Sequence, residues 1–470
     1  MEICILSEGS YPYISGGVSS WINQLVYEMN DKTFKIVSIM PSRESNLEYK
    51  YKIPSNVVEI KTIYMNDYIY LEPNKKIKEP KLNKKELIEI EKFFTFDKNV
   101  DWNLIISIMS NKNKFGDCIE FLQSRFFWNM ILKFYKDNYS NEEFNQFFWT
   151  IRSMVIPFIN IVQSELPKAD IYHSVSTGYA GFLGLLCKFK NNKPFILTEH
   201  GIYAREREEE IIRAKWVTGI YKKTWIDFFY YISIGAYKSA DIVVSLFERN
   251  RSIQLELGSN KEKTIVIPNG VNLNKFKAEH EAHQGFNIGA ILRIVPIKDV
   301  KTLIRAFKVV KSILPKVKLY LIGPYDEDIE YYEECLKLVK NLSLEDNIEF
   351  TGKVDIKKYL KKLDLLVLTS ISEGQPLVIL EGMACEIPFV ATDVGACREL
   401  LEGKKDDDIG LSGIITTPVS PRNTANAIIK LIKDKNLRIQ MSQNGRKRVE
   451  KYYTNKMFIE KYNEVYESLR

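Results

Sequence analysis

The 470-residue sequence holds only four histidines and six cysteines. The cysteines (Cys4, Cys118, Cys187, Cys335, Cys385 and Cys397) are scattered, form no Cys-x-x-Cys pair and sit mostly inside apolar runs. That pattern argues against a zinc site or a disulfide framework and for reduced, buried thiols. Long apolar runs are missing too: none approaches the ~20 residues of a membrane span. The nearest, Trp225 to Ile234, has the length of a buried core helix. Met1 to Leu6 reads as a strand and lacks the basic region that opens a secretory signal. Charge of one sign is scarce as well. A formal net charge of +7 is too diffuse for a nucleic-acid binder, although it suits an anionic substrate or a membrane surface. With 45% hydrophobic and 27% charged residues, the chain reads as a globular, cytoplasmic protein of two or three domains.

What the sequence does have is an α/β rhythm. Short apolar runs without alternation, such as Leu363 to Leu368, are how strands buried on both faces look. Others fall at 2–7, 34–40, 57–63, 169–173, 194–200, 240–245, 263–267, 286–292, 317–322, 347–350 and 389–392, with helical periodicity between them. This alternation implies parallel, doubly wound sheets. From about 72 to 162 the strand pattern lapses into lysine-rich and then aromatic text, which predicts a helical insertion whose aromatics form a local core. A polar stretch near 274–284 suits a hinge.

The most informative stretch runs from Thr369 to Cys385. Its loop, Ser372-Glu373-Gly374-Gln375-Pro376, leads into a helix that is apolar except for Glu381. A strand–loop–helix junction aims free N–H groups and a positive dipole end at an anion. Glu381 has no charged face to belong to, and an unpaired buried carboxylate is costly, so a hydrogen-bonding partner is expected. A ribose diol, with two hydroxyl donors, is one candidate. The loop after the 286–292 run carries Arg293 and Lys298, either two surface cations or a clamp on a diphosphate. The first βα unit turns at Gly16-Gly17, where backbone can approach a ligand closely. His200 directly follows a strand, at the sheet edge where such folds bind ligands. His173 raises a weaker version of the same expectation, and the Arg/Glu run after His200 reads as a solvated helix start. Asp326-Glu327-Asp328 has the Asp-x-Asp form of a metal site, but its position opening a helix favours capping.

Glu373 and Glu381, eight residues apart within Ser-Glu-Gly-Gln-Pro-Leu-Val-Ile-Leu-Glu, resemble the Glu-x7-Glu signature of retaining family 4 glycosyltransferases. The Glu-Gly-Gln-Pro form, the following Ala-Thr-Asp-Val-Gly-Ala-Cys-Arg-Glu-Leu and the segment Thr198 to Tyr203 resemble the PelF type of Pel exopolysaccharide synthesis. Arg293 and Lys298 match the family's cation pair, although Leu-Arg-Ile stands where many members have Gly-Arg-Leu. The resemblance implies a GT-B fold: two Rossmann-like doubly wound domains facing a central cleft, 1–273 with the insertion, and 285–452, with a crossover helix at about 455–470. It implies transfer of a hexose from a UDP-sugar to a saccharide acceptor in exopolysaccharide synthesis, with retention and without a metal or other cofactor. In that reading Arg293 and Lys298 stabilise the leaving diphosphate, Glu373 holds the hexose beside Gly374, Gln375, Pro376 and Leu377, and Glu381 binds the ribose. Gly16 and Gly17 face the donor phosphates and acceptor, and His200 lies beside the sugar. A membrane-bound polysaccharide synthase complex at the inner membrane face is among the implied partners. The competing readings are a non-catalytic nucleotide-sensing subunit and a GT-B epimerase or phosphorylase.

Overall fold

The doubly buried apolar runs become strands of two separate parallel sheets. A computed structural model describes residues 1–43, 47–67, 78–217 and 219–470. The chain forms two compact units, Met1–Val266 with Asn463–Arg470, and Ile267–Tyr462.

The first unit carries β1 (Glu2–Glu8), β2 (Thr33–Met40), β3 (Val57–Tyr64), β4 (Ile171–Ser174), β5 (Phe195–Glu199), β6 (Ile242–Ser245) and β7 (Thr264–Val266). Their order in the sheet is β3-β2-β1-β4-β5-β6-β7, every pair parallel. The chain therefore winds one way from β1 and the other way from β4, which makes the β1/β4 boundary a topological switch point. Between β3 and β4 the described residues are helical: Lys84–Phe94, Trp102–Met109, Lys112–Phe115, Cys118–Gln123, Arg125–Asn138 and Phe144–Val162. Residues 72–77, where the sequence suggests that the insertion opens, lie outside the described residues. The aromatics here do not form a core of their own. Phe158 meets Phe182 at 3.9 Å and Trp102 meets Tyr231 at 4.9 Å, so they merge with helices Tyr179–Asn191 and Tyr221–Ser239 into the core of the unit. The apolar run 225–234 lies inside the second of those helices, with Trp225, Phe228, Phe229, Tyr231 and Ile232 buried.

The second unit carries β8 (Phe286–Ile291), β9 (Val317–Ile322), β10 (Ile348–Gly352), β11 (Leu365–Leu368), β12 (Phe389–Thr392) and β13 (Gly413–Thr416). The order β10-β9-β8-β11-β12-β13 places a second switch point between β8 and β11. The turn Pro268–Asn272, inside the 1–273 domain that the family resemblance implies, groups with this unit instead. The reason is local: Asn269 N–H donates to Gln375 Oε1 at 2.6 Å and Val271 bridges to Thr454. The last helix, Asn455–Ser468, ends among residues of the first unit, where Tyr466 Oη lies 2.7 Å from His173 Nδ1 and Glu467 pairs with Lys32 at 2.6 Å. All six cysteines are free and buried. Among the described residues no helix is long and apolar enough to cross a membrane.

Candidate active site

In the second unit, β8 and β11 deliver their following loops to the same edge of the sheet. Open parallel sheets bind ligands at such an edge, beside the switch point. The two loops are fastened to each other: Ile371 N–H donates to the Ile297 carbonyl at 2.9 Å, and Thr369 Oγ1 donates to the Lys298 carbonyl at 3.1 Å. Asp299 takes a left-handed conformation (φ +46°) and caps helix Val300–Ile313 through Thr302 N–H. Lys298 is thereby held over the loop after β11, with its Nζ 2.5 Å from Glu373 Oε1. The same carboxylate oxygen accepts from Ser370 Oγ at 2.5 Å. Arg293, half-exposed, is paired with Glu327, its Nη1 2.6 Å from both carboxylate oxygens. The neighbouring Asp328 caps helix Ile329–Asn341 by accepting from Tyr331 N–H, as its position in the sequence suggests.

The loop after β11 is held from behind by a glycine. Gly395 adopts φ +52°, and a Cβ there would stand 2.2 Å from the Glu373 carbonyl and 2.3 Å from that of Gly374. Its neighbour Ala396 donates N–H to the Gly374 carbonyl at 2.9 Å. Gln375 is buried, with its side-chain oxygen engaged by Asn269, and so fixes the loop to the Pro268–Asn272 turn. Pro376 is the N-cap of helix Leu377–Ala384, one position before the first turn, and no side chain caps that end. Glu381 projects from this helix into a largely enclosed position. Among the described residues its carboxylate makes no hydrogen bond or ion pair, and burial pushes its pKa up to about 7.

The first unit has its own concave site at the β1/β4 switch point, with a volume of about 290 Å³. Its walls include the turn Gly16-Gly17 at the start of helix Gly17–Glu28, His200 after β5, and Glu206 and Arg207. Two glutamates, Glu8 partly buried and Glu199 fully buried, hold this wall together. Glu8, ending β1, accepts from Tyr203 Oη at 2.9 Å and from Tyr179 N–H at 2.8 Å. Glu199, ending β5, accepts from Thr177, the Tyr203 N–H, Tyr237 and Gln254. Both carboxylates sit at helix starts, where the dipole and free N–H groups favour an acceptor; burial still pushes both pKa values upward. His200 packs edge-on against Trp21 at 5.0 Å, and its buried Nε2 has no partner among the described residues. Burial lowers its pKa to about 4, so it is a neutral imidazole at physiological pH, able to donate or accept one hydrogen bond. A Cβ on Gly16 or Gly17 would meet nothing within 4 Å. These glycines therefore border open space and are not demanded by the protein's own packing.

Residues 1–262 match a domain of unknown function (DUF3492), and residues 273–448 match glycosyl transferases group 1. An uncharacterized glycosyltransferase of Methanocaldococcus jannaschii, MJ1178, is 32% identical over 315 residues, 66% of this chain and 78% of that protein. The chain belongs to the group 1 glycosyltransferases. A further relative is the Escherichia coli UDP-Gal:alpha-D-GlcNAc-diphosphoundecaprenol alpha-1,3-galactosyltransferase, 26% identical over 64% of this chain and 75% of that protein. In fold the chain is similar to Anabaena HepE, solved in complex with UDP, with a TM-score of 0.64, 16% identity and full coverage of both chains. The two Rossmann-like units are those of a GT-B glycosyltransferase.

In this group 1 transferase the structure brings Lys298 together with Glu373, and places Gly374 to Leu377 and Glu381 on the same loop and helix. Arg293 stands on the adjoining loop but is paired with Glu327. Gly16, Gly17 and His200 share the first-unit pocket. His173 is accounted for structurally: it is fully buried, between Tyr466 and Thr198. Sequence reasoning missed Glu8, Tyr203, Glu206 and Arg207. The run after His200, expected to be a solvated helix start, puts Glu206 and Arg207 into the pocket wall, with Glu206 seated over Gly201. Residues 206 and 207 are three and four positions after Tyr203, one helical turn on, and that spacing was the available signal.

Proposed function

We propose that this chain is a retaining glycosyltransferase that moves a hexose from a UDP-sugar to a saccharide acceptor, without a metal, in exopolysaccharide synthesis of the PelF type. The observation that carries the reading is Glu381, a half-buried carboxylate that has no hydrogen bond or ion pair among the described residues and stands on the helix after β11 in the second unit. Vicinal ribose hydroxyls are donors that would satisfy it. Lys298 and Arg293 are the two cations of that edge and would neutralise the diphosphate as the bond to the sugar breaks. To do so they exchange Glu373 and Glu327 for phosphate oxygens, and Glu373 is then free to accept from the hexose hydroxyls. The uncapped start of helix Leu377–Ala384 and the N–H groups from Gly374 add fixed dipoles on the same side. The first-unit pocket of Gly16, Gly17 and His200 would take the acceptor. No side chain is assigned as general base; the leaving phosphate is the acceptor for the hydroxyl proton.

A uridine donor, a hexose and a saccharide acceptor find support in the activity named for the E. coli relative, and UDP in the HepE complex. Retention and the PelF assignment rest on the Glu-x7-Glu and Glu-Gly-Gln-Pro motifs. A cytoplasmic location beside a membrane synthase belongs to the same reading. The test is thermal unfolding with UDP, GDP and ADP in EDTA, for the wild type and Lys298→Ala. Ligand at ~100 times its Kd stabilises by roughly 2.7 kcal/mol, a rise of several degrees. The expected result is a rise with UDP alone that Lys298→Ala loses, followed by turnover of a UDP-sugar in EDTA. No shift with any nucleotide would sink the donor-site assignment, and activity lost in EDTA would sink metal independence.

A further inference from the structure

A second concave site lies in the first unit and shares no residue with the His200 pocket. It has a volume of about 430 Å³ and is lined by the helix face Asn145, Gln146, Trp149, Thr150 and Ser153, and across from it by Trp216, Val217, Tyr221 and Trp225. That volume is in the range of small-ligand sites, which pair an apolar lining with a few placed polar groups. Trp149 is 54% exposed and Trp216 71% exposed, so neither ring is there to fill the core. Both are nevertheless held in place. Trp149 donates its indole N–H to Asn145 Oδ1 at 3.0 Å and lies 4.9 Å from the Arg152 guanidinium. Trp216 stands edge-on to Trp225 at 5.8 Å, and Trp225 is in turn stacked on Phe229. Around these rings the Gln146 amide and the Asn145 NH2 make no hydrogen bond among the described residues.

We infer that this pocket is a second saccharide site, which takes an uncharged glycan chain. Sugar rings have apolar C–H faces and equatorial hydroxyls. The C–H faces pack on the negatively polarised faces of indoles, and the hydroxyls pair with amides and hydroxyls such as Asn145, Gln146, Thr150 and Ser153. None of the lining residues is charged, and the Arg152 guanidinium beside them is engaged on the Trp149 ring. A phosphate, a nucleotide or an anionic lipid surface would need cations there, so a neutral glycan fits best. Trp216 follows helix Tyr203–Arg213, which starts at the His200 pocket and is 11 residues long, about 16 Å. A short oligosaccharide spans such a length, so the pocket would hold the far part of the glycan being extended. That anchoring role rests on the transferase reading, whereas glycan binding does not.

The experiment is calorimetric and indole-fluorescence titration of the full chain with maltohexaose, cellohexaose and N-acetylchitohexaose, for the wild type, Trp149→Ala and Trp216→Ala. The expected result is saturable binding of at least one glycan, weakened about tenfold or more by each variant through loss of one stacking face. The unfolding temperature and the UDP shift should stay unchanged, since both rings are exposed. Three results would overturn the inference: no binding of any of the three at millimolar concentration, equal binding by wild type and both variants, or cosedimentation with phosphatidylglycerol vesicles that Trp216→Ala abolishes. The UDP shift reports the donor site separately. Its absence with glycan binding intact would overturn the nucleotide reading and leave this one standing.

Discussion

At the scale of single residues, Glu381 has a pH consequence. Its folded pKa of about 7 lies above the ordinary 4.5, so the folded state holds the proton more tightly. The stability cost of ionising it grows as pH rises from about 4.5 to 7. Ribose hydroxyls donate to the ionised form, so binding of UDP should tighten as pH rises through 7. At pH 6, one unit below that pKa, only about a tenth of the carboxyl is ionised, and the Kd for UDP should be about tenfold weaker than at pH 8. Glu381→Gln should bind weakly at both and lose the slope, as calorimetry at the two pH values would show. His200 behaves oppositely. With its pKa lowered to about 4, protonating it penalises the folded state progressively as pH falls from 6.5. His200→Gln should therefore lower activity while making acid unfolding less steep, measured by circular dichroism between pH 4 and 7.

At the scale of elements, two glycine positions separate packing from ligand access. Gly395 is required by the protein: its positive φ and the two carbonyls within 2.3 Å leave no room for a methyl group. Gly395→Ala should cost about 1–3 kcal/mol, push the Glu373 loop off Lys298 and abolish the UDP shift. Gly17 is different, since it begins a helix and faces open space. Gly17→Ala should leave stability unchanged or raise it by up to about 1 kcal/mol through helix propensity, yet lower turnover. Unchanged turnover in Gly17→Ala would show that no substrate approaches that backbone.

The elements also show what the sequence could reveal. Strands such as Leu365–Leu368 were legible because a strand buried on both faces is written as an unbroken apolar run. β13 was not: Gly-Ile-Ile-Thr has only two large apolar residues and follows polar text, so no apolar run marks it. The loop-and-helix residues from Glu373 to Glu381 were legible because they are consecutive in the chain. The Lys298–Glu373 contact joins residues 75 apart, and the first-unit pocket gathers the ends of β1, β4 and β5. Neither contact leaves a trace in local spacing, which is why Glu8 went unnoticed.

At the scale of the whole molecule, each unit has its own sheet, its own switch point and its own hydrophobic cluster. A nucleotide held by Lys298 and Glu381 should therefore act mainly on one of them. Hydrogen exchange with saturating UDP should show protection concentrated in residues 293–299 and 370–384, with 1–266 little changed. Protection concentrated in 1–266 instead would move the nucleotide to the other unit.

The carboxylates already seated on Arg293 and Lys298 have a bearing on selectivity. An incoming anion must evict Glu373 and Glu327 before it can use either cation. A single negative charge gains little by that exchange, because it replaces one ion pair with another of similar strength. In the proposed donor site a diphosphate, with several oxygens and more than one charge, would engage both cations and release both resident carboxylates. In that donor site the resident pairs would act as a counterion filter, and singly charged anions such as chloride and acetate should compete poorly with UDP even at high concentration.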